Sequence, residues 1–145
     1  MRVIVQRSKQ AKCIIDGKVV GEIDKGYMLL VGFTHGDTSV QVDKMVKKIL
    51  NLRIFKDEND KMNLNIKQVN GSILSISQFT LYADPNSGNR PSFINSMNAS
   101  DATKMYDEFN EKLRNEGIKV ETGIFGADMK IDFINDGPVT IILEF

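Results

Sequence analysis

The sequence predicts the α/β class in its mixed form: a layered single domain, residues 1–145, with two packed mixed β-sheets and two helices on one side. Three observations predict it. Runs rich in β-branched residues occupy both ends of the chain. Two segments between them switch to apolar spacings of three and four. Each of those segments follows an apolar run of the kind buried on both faces of a sheet, which gives the order strands, strand-helix twice, strands. With 145 residues and 41% hydrophobic content, the chain can bury one core and is too short for two ordinary domains.

The elements follow in order. "RVIVQRS" and "AKCIIDGKVVGEI" read as an N-terminal strand and a hairpin turning at Asp16-Gly17, because that pair accepts the positive φ of a tight turn. "GYMLLVGF" reads as a buried strand. From Thr38 to Leu52, Val42, Met45, Val46, Ile49 and Leu50 fall on one helical face, with Asp37 or Thr38 as N-cap. "FKDENDKMN" is turn-like, and "GSILSISQFTLYAD" reads as a second buried strand. The second helix is predicted from about Ser100 to Glu116, with Met105, Phe109 and Leu113 inward and Gly117 as its stop. "IKVETG", "DMKIDFI" and "VTIILEF" complete the sheets as short strands. Between the last two, Asn135-Asp136-Gly137 has the pattern of a tight hairpin, yet Pro138 follows and gives up a ladder donor.

Composition narrows the function classes. Nineteen basic residues balance nineteen acidic ones, so no global basic excess advertises nucleic-acid binding, and any RNA contact must be local. The single cysteine, Cys13, excludes an internal disulfide, and "MRVIVQRSKQ" contains no long apolar signal region; a cytoplasmic location is therefore expected. No apolar run approaches the roughly 20 residues of a membrane span, so no membrane partner is expected.

Ser77, Gln78 and Thr80 interrupt an otherwise apolar strand. Such groups either satisfy neighbouring backbone or face a ligand, and spacing leaves both open. The only histidine, His35, lies in a predicted loop, so neither a catalytic triad nor a usual zinc set can be assembled, and no metal or cofactor is expected. Catalysis, if present, does not rest on a conventional side-chain base.

Two motifs carry a resemblance. "SQFTLYAD" at 77–84 and "NDGPVT" at 135–140 resemble the signatures of the D-aminoacyl-tRNA deacylases, also called D-tyrosyl-tRNA deacylases. "KILNLRIF" with "KMN" behind it, "RPSF" at 90–93 and "FGADM" at 125–129 resemble the same family in the expected order, so the likeness covers essentially the whole chain.

The resemblance implies a homodimeric hydrolase that removes a D-amino acid from the 3′ end of an aminoacyl-tRNA. It implies a cis Gly137-Pro138 motif that enters the partner's site and bars L side chains with rigid backbone, while glycine, lacking a side chain, is not barred. Arg7 resembles the arginine that orients this motif, and Thr140 either braces it or pairs across a strand. Phe125, Gly126 and Met129 would receive the terminal adenosine. Ser77 and Gln78 would position amino acid and ribose, and the N–H groups of Phe79 and Thr80 would stabilise an oxyanion. Thr80 as nucleophile lacks a base, so assistance by the tRNA 2′-hydroxyl suits the sequence better. Where many relatives are basic, residues 85–89 read "PNSGN", leaving Lys56, Lys61, Lys67 or Arg90 for phosphate contacts. DNA is not expected as a partner. The rival reading is a non-catalytic RNA-binding or dimerisation module with the same fold.

Overall fold

Strand β1 (Arg2–Ile15) organises the domain because it is long enough to pair with three others. Its first half pairs antiparallel with β3 (Gly26–Gly32), and its second half pairs with β2 (Lys18–Ile23) across the Asp16-Gly17 turn, where φ is +49° and +75°. Its other edge carries β8 (Lys130–Glu144) along nearly the whole length. Parallel pairing then extends the sheet from β3 to β6 (Ser72–Ser77) and on to β7 (Val120–Thr122). The computed structural model describes residues 1–86 and 88–145; Ser87, within the "PNSGN" loop, lies outside the described residues.

Both helices cover one face. Helix α1 (Ser39–Asn51) buries the five predicted residues, and Thr38 caps it in a reciprocal box with Gln41. Helix α2 (Ala99–Asn115) starts under the Asn98 side chain, which accepts from the Asp101 N–H at 3.0 Å. Its buried stripe is Ala102, Tyr106, Phe109 and Leu113; Met105, predicted inward, is only partly covered. These side chains meet Val3, Val5, Leu29, Val31 and Ile73 in the main core. Phe109→Ala is expected to cost about 3–5 kcal/mol in urea unfolding, because the ring is completely buried in that core.

The layers arise differently from the expected pair of sheets. Among the described residues one six-stranded sheet supplies both, with a separate two-stranded ribbon of β4 (Phe55–Lys56) and β5 (Met62–Leu64). Register shifts after Ser8 bend β1, so Ala11 and Cys13 pack with Ile23 against Met28, Leu74 and Ile76 on the face opposite the helices.

Two predicted elements are corrected. The strand read through "SQFTLYAD" ends at Ser77, and Phe79–Tyr82 forms a single 3-10 turn. The predicted hairpin at Asn135-Asp136-Gly137 is not a turn between strands, because both flanking runs belong to β8. Ser8 pairs with Asn135 and Gln6 with Thr140, so four residues, Asp136 to Val139, stand opposite Arg7 alone as a wide bulge. Among the described residues no helix is long and apolar enough to cross a membrane.

Candidate active site

The site begins where β3 and β6 end together. The Gln78 N–H donates to the Val31 carbonyl oxygen at 2.7 Å, the last bond of that edge, and the chain then folds back over β3. Gly32 permits this: a Cβ there would lie 2.9 Å from the Gln78 carbonyl oxygen and 3.1 Å from the Leu81 Cβ. Two clasps hold the resulting turn. Ser96 Oγ donates to the Phe79 carbonyl at 2.9 Å, and Arg2 Nη1 donates to the Leu81 carbonyl at 2.5 Å while its guanidinium lies 4.8 Å from the centre of the Tyr82 ring.

A 3-10 turn leaves its first N–H groups without partners inside the turn. Among the described residues the N–H groups of Phe79 and Thr80 have no acceptor. Phe79 itself borders a cavity of about 280 Å³ lined by Ser77, Gln78 and Phe79 from one segment and Phe125, Gly126 and Met129 from another, and Thr80 follows it in the same turn. Six of the predicted site residues are thus brought together from two distant segments. Thr80 is not part of the lining; its exposed hydroxyl accepts from Gln78 Nε2 at 2.5 Å, and among the described residues no carboxylate or imidazole is bonded to it. Met97, Ala102 and Ile131 are among the other lining residues and were not foreseen, since their apolar character reads as ordinary core.

The tyrosines near the site offer no base. Burial pushes the Tyr82 hydroxyl up to about 12, against the pull of Arg2, and burial also raises Tyr106, whose hydroxyl donates to the Ser75 carbonyl at 2.7 Å. At neutral pH both remain protonated.

The second predicted cluster lies elsewhere in the chain. Arg7 is buried, and its Nε donates to the Asp136 carbonyl at 3.0 Å while Nη1 donates to the Ile54 carbonyl at 2.6 Å. The Asp136 carboxylate lies 3.5 Å from the same Nε. Asn135, which sequence reasoning missed, accepts the Val139 N–H at 3.3 Å and donates through Nδ2 to Thr140 Oγ1 at 3.4 Å. Thr140 thus pairs with Gln6 in the β1–β8 ladder, and its hydroxyl accepts from the Asn135 amide. The Gly137-Pro138 peptide is cis, and both residues are exposed at the crest of the bulge.

The bulge and the cavity of one chain do not meet. Arg7 pairs with Tyr27 near the start of β3, whereas the cavity sits at Val31 near its end. Four residues of strand separate them, roughly 13 Å at about 3.3 Å per residue.

Fold and site together define a single-domain mixed α/β protein with an apolar cavity at the carboxyl ends of parallel strands and unspent backbone donors at its rim. A family model described as D-Tyr-tRNA(Tyr) deacylase matches residues 4–144, and the chain belongs to that family of hydrolases. It is 54% identical over 144 residues to a D-aminoacyl-tRNA deacylase of Bacillus cytotoxicus, covering 99% of each chain. It is 52% identical to one of Clostridium perfringens, covering 99% of this chain and 97% of that one. Among solved structures, the "c-Myc DNA Unwinding Element Binding Protein" superposes with a TM-score of 0.94 at 38% identity, covering 100% of this chain and 99% of the other. A "probable eukaryotic D-amino acid tRNA deacylase" shares the fold, with a TM-score of 0.84 at 18% identity and coverage of 98% and 97%.

Proposed function

We propose that this chain hydrolyses the ester of D-aminoacyl-tRNA, and of glycine mischarged on tRNA, releasing the free amino acid in the cytoplasm. The observation that carries the reading is the unspent N–H of Phe79, which lines the cavity, followed in the same turn by the unspent N–H of Thr80. An ester carbonyl placed there gains two donors as its oxygen becomes negative, each such donor being typically worth about 3 kcal/mol. Phe125, Gly126 and Met129 offer the apolar wall for the terminal adenosine, and Ser77 and Gln78 the polar contacts to ribose and amino acid. The neighbouring 2′-hydroxyl of the substrate assists the attacking water, since no side-chain base stands by Thr80. No metal or cofactor enters this reading.

Chiral selection comes from a second copy of the chain. The Gly137-Pro138 crest is exposed, is held from below by buried Arg7, and stands too far along the sheet to reach its own cavity. It also lies on a strand that exposes Ile134 and Ile142, at 57% and 67%, which a partner would cover. Rigid main chain entering the partner's cavity bars an L side chain and leaves D side chains and glycine free. A homodimer at micromolar concentration is the expected result of analytical ultracentrifugation; a fully active monomer contradicts the shared site.

Incubation with D-tyrosyl-, L-tyrosyl- and glycyl-tRNA tests the whole reading. Loss of the D and glycyl esters with the L ester spared supports it, and equal loss of D and L esters refutes the selection. The name of the solved structure at 38% identity favours a second reading, a non-catalytic nucleic-acid-binding module. Binding of single-stranded DNA without any ester hydrolysis would select it. Hydrolysis of a free D-tyrosyl ester as fast as the tRNA ester would instead point to a general esterase.

A further inference from the structure

We propose that the exposed faces of Phe79 and Phe93 form a stacking platform for an unpaired RNA base next to the esterified terminal nucleotide. The proposal rests on the deacylase reading and deepens it by giving the penultimate part of the RNA end a place on the protein.

Two large rings in solvent need a reason. Phe79 is 53% exposed and Phe93 43%, and they meet edge to face with centroids 5.1 Å apart at 61°. Neither ring lies on a loose loop. The segment carrying Phe93 is tied by a bridge between Asp84 and Ser92, by Thr34 Oγ1 donating to the Asn95 carbonyl at 2.6 Å, and by a 2.8 Å bond between His35 Nε2 and the Ile94 carbonyl. Its end is held by the Met97 N–H on the Phe33 carbonyl at 3.0 Å. The backbone beneath both rings is therefore tied down before any ligand arrives, which limits the ordering cost of binding.

Phe79 identifies the occupant, because it belongs to the cavity wall and to the exposed patch at once. A chain leaving the cavity on that side crosses Phe79 and reaches Phe93. For an aminoacyl-tRNA, that chain is single-stranded RNA, whose unpaired bases stack on aromatic rings with little regard to sequence. Arg90, exposed and without an acidic partner among the described residues, begins the same segment and supplies positive charge for a phosphate. The lone histidine, which the proposed chemistry leaves unused, thereby gains a role as a tie that steadies the platform.

Phe93→Ala, Phe93→Leu and Phe93→Tyr separate stacking from other uses of the ring. With D-tyrosyl-tRNA, the alanine and leucine variants should raise KM about tenfold with kcat little changed, while tyrosine retains the parent value. With D-tyrosyl-adenosine, which ends at the terminal nucleotide, all three should match the parent. Equal KM values for parent and alanine variant on the tRNA overturn the platform, as does a leucine variant that performs like the parent. A defect that is the same on both substrates, or appears together with loss of the dimer in ultracentrifugation, also overturns it and assigns the ring to the terminal nucleotide or to the subunit contact. Binding of a short single-stranded RNA ending in adenosine, followed by fluorescence anisotropy, keeps the two readings apart. RNA binding weakened about tenfold by Phe93→Ala in a protein without hydrolysis supports the platform and sinks the deacylase reading; hydrolysis unaffected by the change sinks the platform alone.

Discussion

Gly137→Ala is expected to lower the preference for D- over L-tyrosyl-tRNA by about a hundredfold, on the scale of a roughly 1 Å misplacement in a site that works by geometry. The reason is local. Gly137 has φ +134°, a conformation that side chains rarely adopt, and an added Cβ would lie 2.7 Å from Val139 Cγ2, 2.9 Å from the Val139 nitrogen and 3.1 Å from Arg7 Nη2. The bulge must then shift, and with it the Asp136 carbonyl that Arg7 holds at 3.0 Å. The core is spared because the crest is exposed at the sheet edge, so thermal unfolding should move by only a few degrees. Arg7→Ala should act in the same direction with a larger stability loss, since it strands the Ile54 carbonyl in a buried place. The check is kcat/KM on both esters for parent and variant. A Gly137→Ala protein that folds, dimerises and still spares the L ester as the parent does would place the filter outside this bulge.

What was legible in the sequence and what was not divides along one physical line. The helices were legible because their determinants are local: Val42, Met45, Val46, Ile49 and Leu50 repeat at helical spacing, and Thr38 with Gln41 makes a capping box four residues long. The end of β6 was not. Apart from Ser77, "SQFTLY" holds no turn residue, and the chain bends there because Gly32, on a neighbouring strand, lets the turn lie against β3. The bulge in β8 was misread for the converse reason. Asn-Asp-Gly is a strong local hairpin signal, yet Arg7 and β1, far away in sequence, hold both sides of it in one continuous strand. Of the site itself, the residues of "SQFT" and "FGADM" were named from family resemblance, and the fold brings six of the seven to one cavity. Thr80 is the exception, and its absence from the wall bears on the chemistry.

Thr80→Ala should retain deacylation within about tenfold of the parent, because it removes a hydroxyl that, among the described residues, is bonded only to Gln78 and leaves the N–H of residue 80 in place. A nucleophilic threonine needs a partner to take its proton, and the Thr80 hydroxyl instead receives one from an amide. The complementary change is in the substrate. D-tyrosyl-tRNA with a 2′-deoxy terminal adenosine should react about a hundredfold more slowly or worse, since the group proposed to assist the attacking water is gone while every protein contact remains. Single-turnover rates measured at saturating enzyme isolate this effect from binding. The two measurements decide together. Near-total loss with Thr80→Ala and normal turnover of the deoxy ester would make threonine the nucleophile, and a base for it would then have to come from the second subunit. Loss in both would mean that the hydroxyl of Thr80 and that of the ribose work in one hydrogen-bonded chain, with Gln78 fixing its protein end.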